Sequence, residues 1–446
     1  MTKPICILSG PVFNRSGYGD WATDVAKSLI RYDKFDLRIA PQKWGMCQQS
    51  RQFLNQLTDP EDIAVRKCFM TSNKLERQPE VYIGMSIPNE FVTPAKYNIG
   101  MTAGIETTLC SGEFLDGVNK VDLTIALSDH VKSVFQNTKL MKNFPDGRKE
   151  QVSLKKPVEV CFWGANTDVY KKTDEKLESV EKALQDIEEE FAFLFVGQWT
   201  SESKFNDRKD IGNLVKTFCN TFKNQNKKPC LILKSAGPNY SITDRYKILN
   251  NIKEIKNSIE GDLPNVYLLH GELHENEMNA LINHEKVKCH VSFTHGEGFG
   301  HPLLLQTLSG KPLLVPEWSG HLDFLNKDYA EFLPGTLANV PPQSANKWIL
   351  KESQWFNVAY SLAEQKLNKM FHKATDEKVL KKAELLRKEN EEKFNLQKMD
   401  EKLWSILDQY VPKFATENKF QLPKLKSLNN ENADTNKIKL PKLKTL

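Results

Sequence analysis

Thr294-His295-Gly296-Glu297-Gly298-Phe299-Gly300-His301-Pro302, followed by the apolar run Leu303–Leu305, is the stretch whose reading decides the fold of this chain. The apolar segment 289–293 (Cys-His-Val-Ser-Phe) leads into it as a short strand. Pro302 sits where proline is favoured, in the first turn of a helix running to about Leu308. Gly296, Gly298 and Gly300 let the backbone turn sharply and leave no Cβ to block a ligand. The free N–H groups opening the next helix then face the turn, and that end carries partial positive charge. Such a loop suits a diphosphate. Glu297 inside it would repel a phosphate but would accept hydrogen bonds from sugar hydroxyls beside one.

The same strand–loop–helix pattern recurs on both sides. Ile5–Leu8 runs into Gly10-Pro11 and Ser16-Gly17-Tyr18-Gly19-Asp20, and Trp21, Val25, Leu29 and Ile30 then recur at helical spacing. Strands are expected at 81–83, 97–101 and 123–127, with Ser128-Asp129-His130 capping a following helix. The run 158–162 and Gly164-Ala165-Asn166 mark the exit from this first half. A second half opens at strand 191–196. Helix 211–222, strand 230–233, helix 246–259, strand 266–269, helix 275–283 and the opening loop follow. Such alternation specifies α/β architecture with parallel sheets covered by helices. Charged residues 172–190, and residues 347–371 and 376–410, read as long helical stretches. The implied boundaries are 1–165, 166–375, a terminal helical segment 376–411, and a tail, 412–446.

The chain has 446 residues, 39% hydrophobic and 27% charged, which is ordinary for a globular protein of two or three domains. No apolar run approaches a membrane span. Eight scattered cysteines without a Cys-x-x-Cys point to buried, reduced thiols and a cytoplasmic location. The formal net charge is +5, and residues 411–446 hold eight lysines against three acids, so the body is near neutral. A body without basic bias argues against strong duplex nucleic-acid binding. The tail repeats Leu422-Pro423-Lys424-Leu425-Lys426-Ser427-Leu428 as Leu440-Pro441-Lys442-Leu443-Lys444-Thr445-Leu446. It is expected to be flexible in isolation and to serve as a docking peptide for an acidic partner.

Glu297-Gly298-Phe299-Gly300, Pro302, Gly310-Lys311-Pro312-Leu313-Leu314-Val315 and Ser319-Gly320-His321 together resemble the donor-site pattern of retaining glycosyltransferases of the GT-B fold, the glycogen-synthase-like and mannosyltransferase-like group. The resemblance covers the chain to about Tyr410. It implies two Rossmann-like domains facing across a cleft, C-terminal helices of which the segment 376–411 crosses back to the first domain, and metal-independent transfer of a sugar from a nucleotide-diphosphate donor, with no cofactor. It implies Arg208 and Lys209 as ligands of the donor phosphates and Glu297 as the carboxylate at the sugar. Gly298, Phe299, Gly300 and His301 then surround the donor, and Gly17 and Gly19 match the glycine loop approaching it from the first domain. Glu106, in Ile105-Glu106-Thr107-Thr108, resembles an acceptor-side glutamate, with a buried structural carboxylate as the competing reading. Lys234 ends a strand, either facing the cleft or lying along the surface. His321 is a further candidate to line the cleft.

Two positions depart from the pattern. Leu305 stands where a second glutamate usually contacts the donor ribose, and Gly197-Gln198 replaces the usual Gly-Arg, so phosphate binding leans on Arg208 and Lys209. No Asp-x-Asp metal triplet occurs. The histidines form no convincing metal site. Two alternatives stand beside transfer to a glycan or protein hydroxyl. Ile-Glu-Thr-Thr and Ser319–Leu325 resemble phage-encoded members that modify hydroxymethylated bases in DNA. A sugar-nucleotide-binding scaffold without turnover is the other.

Overall fold

The computed structural model describes residues 3–45, 57–72, 74–143, 147–200, 204–237 and 240–414. The body Lys3–Pro412 carries two parallel sheets. In the first lobe the strands are β1 (Ile5–Gly10), β2 (Asp36–Pro41), β3 (Val81–Met85), β4 (Tyr97–Thr102), β5 (Leu123–Ala126), a peripheral antiparallel pair β6 (Leu140–Asn143) and β7 (Lys149–Val152), and β8 (Val158–Val160). The six-stranded sheet has the order β2-β1-β3-β4-β5-β8. The second lobe holds β9 (Ala192–Val196), β10 (Cys230–Lys234), β11 (Val266–Leu269), β12 (Val287–Val291), β13 (Leu313–Pro316) and β14 (Glu331–Leu333), ordered β11-β10-β9-β12-β13-β14. β1, β3 and β10 are buried along their whole length, which is why they read as unbroken apolar runs rather than alternating ones.

Each sheet begins from an interior strand and its strands run parallel, so loops after the strands gather at one edge of each. The second lobe's core is rich in phenylalanine. Phe193, Phe195, Phe218 and Phe222 are fully buried between β9 and the helix Ile211–Phe222. Each such side chain contributes roughly 1.5–3 kcal/mol by leaving water. This packing fixes the register of that helix, and with it the loop that precedes it.

Three expected helical stretches are shorter or different. Residues 347–371 do not form one helix. A hairpin of β15 (Gly335–Asn339) and β16 (Gln354–Val358) comes first, and a helix starts only at Tyr360 (Tyr360–Lys373). The cause is tertiary: Trp355, Phe356 and Val358 are buried in β16 beneath the glycine loop. Between the two strands the chain reaches over to the first lobe, where Trp348 stacks on Phe114 with ring centroids 5.1 Å apart. Ile349 packs against the same first-lobe cluster. Residues 172–190 contain a helix only over Glu178–Leu184. The stretch 376–410 is two helices, Glu377–Lys393 and Leu396–Tyr410, broken where Asn395 caps the second by accepting from the Lys398 N–H.

The last helix packs on the first lobe. Arg31 of the helix Gly17–Tyr32 holds Asp400 with two bonds of 2.7 and 3.1 Å, and the Trp404 indole N–H donates to the Ser28 carbonyl at 3.1 Å. The described cysteines are free thiols, and no helix among the described residues is long and apolar enough to cross a membrane. The lysine-rich repeats of the tail lie outside the described residues.

Candidate functional site

Three loops meet where the carboxyl ends of the two sheets face each other. One follows β9 and carries Arg208 and Lys209. A second follows β12 and carries Thr294–Gly300. The third follows β4 in the first lobe and carries Glu106. The predicted residues Arg208, Lys209, Glu297 and Glu106, distant in sequence, come together here. Lys209 Nζ lies 2.5 Å from Glu297 Oε1, and Arg208 Nη1 lies 3.4 Å from Glu297 Oε2. Arg208 Nε is 3.2 Å from Glu106 Oε1, across the cleft, and Nη1 also donates to the Gly296 carbonyl at 2.8 Å. Two cations and two carboxylates make a locally neutral cluster.

Its members are not equally accessible. The Arg208 and Glu106 side chains keep 32% and 22% of their surface exposed, whereas Glu297 keeps 8%. Burial alone would raise the Glu297 carboxyl, but Lys209 and then Arg208 overcome it and hold the group down at about 2. Glu297 is therefore ionised at neutral pH. Burial lowers Lys209 despite Glu297 beside it, whereas Arg208 is raised because Glu106 and Glu297 outweigh its burial. The Glu297 N–H donates to Ser319 Oγ at 2.8 Å, which fixes the loop against Ser319–His321.

The glycines serve close packing between lobes. A Cβ on Gly296 would stand 2.3 Å from the Glu106 carbonyl oxygen, and one on Gly298 2.4 Å from that of Ala103. Ser128 Oγ donates to the Gly298 carbonyl at 2.5 Å. The space expected to admit a ligand at these two glycines is thus filled by first-lobe backbone. Gly300 adopts φ +88 as the residue before the helix His301–Thr307, a conformation that suits glycine. That helix has only seven residues, so its end charge is small beside that of Arg208 and Lys209.

The remaining predicted residues are placed as follows. The Phe299 ring turns into the core against Phe324, centroids 5.1 Å apart, and leaves only its backbone for a ligand. His301 stacks on Trp163 at 3.5 Å, and its Nε2 lies 3.2 Å from the Gly164 carbonyl. Burial pushes that imidazole down to about 3, so it is neutral. Gly17 opens the helix behind Ser16, while Gly19 is pressed against the Asn14 carbonyl, where a Cβ would come within 1.9 Å. Lys234 is buried, its ammonium donating to the Gly271 carbonyl at 2.5 Å, and burial lowers it to about 8. Leu305 is buried, and Gln306 beside it is buried with neither amide atom partnered by protein.

Several further residues support the site from behind. Asp210 adopts φ 53 at the start of the helix Ile211–Phe222; Tyr360 Oη donates to it at 2.7 Å, as does Asn213 at 2.7 Å. Burial raises its carboxyl to about 8. His295 stacks on Trp355 at 4.0 Å and donates from Nδ1 to the Phe356 carbonyl at 2.8 Å. The His295 N–H in turn donates to the Arg208 carbonyl at 2.8 Å, so β16 and Tyr360 brace the loop that presents the cations. His130 was legible only as part of a helix cap, yet it stands in the cleft against Trp318, centroids 5.1 Å apart. Among the described residues no group of three or more His, Cys, Asp or Glu side chains is placed to hold a metal ion.

No sequence-family profile matches the chain, and no curated protein matches it in sequence. Solved structures match it in shape. HepE of Anabaena, in complex with UDP and glucose, superposes with a TM-score of 0.55 at 10% identity over 91% of this chain and 100% of that one. A glycosyltransferase of Rickettsia africae ESF-5 gives 0.59 at 12% identity, over 93% and 100% of the two chains. Sucrose-phosphate synthase of Thermosynechococcus elongatus gives 0.58 at 12% identity, over 91% and 98%. At such identities the shared property is the fold: two parallel six-stranded sheets with their helices, arranged as in the GT-B glycosyltransferases.

Proposed function

We propose that this protein is a retaining, metal-independent glycosyltransferase that moves a sugar from a nucleotide-diphosphate donor to an acceptor hydroxyl. The observation that carries the reading is the convergence of Arg208, Lys209 and Glu297 on one edge of the second sheet, with Glu106 reaching in from the first. Arg208 and Lys209 hold the diphosphate and neutralise it as it departs. Glu297 is ionised and buried, a strong acceptor for sugar hydroxyls but a poor neighbour for phosphate. Donor binding therefore requires Lys209 and Arg208 to share their donors between Glu297 and the phosphates. Glu106 orients the acceptor hydroxyl. Attack from the face the diphosphate leaves lets a departing phosphate oxygen take the proton, so no protein nucleophile is needed. The fold-level likeness to HepE, also solved with UDP-glucose, supports the donor class.

A thermal-shift panel of UDP-, GDP-, ADP- and CMP-sugars tests this. A donor at a hundred times its Kd stabilises the folded state by about 2.7 kcal/mol through mass action. One nucleotide class should raise the melting temperature by several degrees, and a panel without any shift would refute donor binding. Activity with the donor so found should survive EDTA. Complete loss with rescue by Mg²⁺ or Mn²⁺ would overturn metal independence.

We further propose that the protein works in a reducing, cytoplasmic setting, in keeping with its free thiols, and that the paired Leu-Pro-Lys-Leu-Lys segments dock an acidic partner. Truncation after Tyr410 should leave turnover of a small soluble acceptor intact while abolishing partner retention. Loss of folding or of small-acceptor activity would assign the tail to the catalytic body.

A further inference from the structure

His321 is fully buried in the short helical turn Gly320–Asp323, directly against the glycine loop. Its Nε2 lies 2.7 Å from the Pro316 carbonyl, an acceptor, so Nε2 carries the proton and Nδ1 presents a lone pair. That Nδ1 is buried and has no protein partner. A Cβ built on Gly300 would lie 3.1 Å from His321 Cβ and 3.4 Å from Glu297 Cγ, so the two side chains flank one point of the loop. Across the cleft stands a second histidine, His130, against Trp318. The Nε2 of His130 is buried and has no protein partner. Trp318 stands edge-on to His130, and the Asp129 N–H donates to Asp323 at 2.9 Å, which ties the two histidine segments together. Burial lowers both imidazoles, His130 to about 4, so both are neutral at neutral pH.

Two buried acceptors without donors are costly unless something supplies the donors. With Glu297 alongside, this end of the cleft is rich in acceptors. It repels an anion and suits O–H groups.

We propose that His130 Nε2 and His321 Nδ1 each accept a hydrogen bond from a hydroxyl of the transferred sugar, forming a hydroxyl-reading subsite between the lobes. The inference rests on the glycosyl-transfer reading. Both nitrogens are buried as the lobes now stand, so the lobes must part for the sugar to enter.

Amide substitutions separate this role from a structural one, because glutamine places a polar group near the ε position of histidine and asparagine near the δ position. His321→Gln keeps a donor for the Pro316 carbonyl but removes the δ acceptor. His321→Asn keeps an acceptor there and loses the structural bond. For His130 the logic reverses, because its unpartnered nitrogen is Nε2: glutamine keeps an acceptor at the ε position, and asparagine removes it. Binding of UDP-glucose and of UDP to the four variants is measured by calorimetry, with GDP- and ADP-glucose in reserve. His321→Gln and His130→Asn should weaken the nucleotide sugar about tenfold each and leave the bare diphosphate unchanged. His321→Asn and His130→Gln should bind within about threefold of wild type. The reverse order, or equal binding by all four, overturns the proposal. A variant that no longer binds UDP is excluded as misfolded, and the other histidine's pair decides. A wild-type chain that binds none of the three donors defeats the glycosyl-transfer reading itself.

Discussion

Glu297→Ala will lower turnover by roughly a hundredfold or more, the scale of losing one preorganised contact to the transition state, while nucleoside diphosphate binding holds or tightens. The expectation follows from the ion pairs. Glu297 occupies Lys209 and shares Arg208 in the free protein, so its removal frees cationic donors for phosphate even as it takes away the acceptor for sugar hydroxyls. Single-turnover rate and diphosphate affinity, measured separately, check this. Unchanged turnover would refute the role, and equal losses in both would make Glu297 a structural residue. The same carboxylate sets an acid limit. Its folded pKa of about 2 lies below the ordinary value of 4.5, so it contributes stability that is fully present above about 4.5 and is lost as pH falls towards 2. The alanine variant should lack that part of the acid transition.

Arg208→Ala combined with Lys209→Ala should weaken nucleoside diphosphate binding by about 3–5 kcal/mol, from losing two charge-assisted anchors. Binding of the bare nucleoside should change little. The contrast is decisive because both ligands share the base and ribose contacts, and only one presents phosphates. Equal losses would show that the pair merely balances Glu106 and Glu297. Removing both cations leaves Glu297 buried without its partners, so the variant's melting temperature should fall, and binding is compared below that temperature. Arg208→Lys keeps the charge but not the fork that reaches Glu106, Gly296 and Glu297 at once. It should retain part of the phosphate affinity.

The architecture was legible because its evidence is local. Buried parallel strands announce themselves as apolar runs such as Ile5–Leu8 and Phe191–Val196, and the glycine punctuation after them places the loops. Glu297 stood out by its place in the glycine loop, whereas Arg208, Lys209 and Glu106 were singled out by the resemblance to GT-B glycosyltransferases. The sequence could not say that they form one neutral cluster, because Glu106 lies 102 residues from Arg208 and 191 from Glu297, and only the facing of two sheets brings them together. The strand β16, within residues 347–371, was misread as helix because the bulky residues Trp355, Phe356 and Val358 become strand only when a second lobe's core is there to bury them. Gly296 and Gly298 suggested room for a ligand, yet first-lobe carbonyls occupy that room. The free nitrogens of His130 and His321 are likewise invisible in one dimension. Composition and periodicity determine which segments are buried and how they wind. Which polar atoms remain unpartnered is decided only when distant loops are pressed together, since a hydrogen bond depends on geometry set by the whole fold.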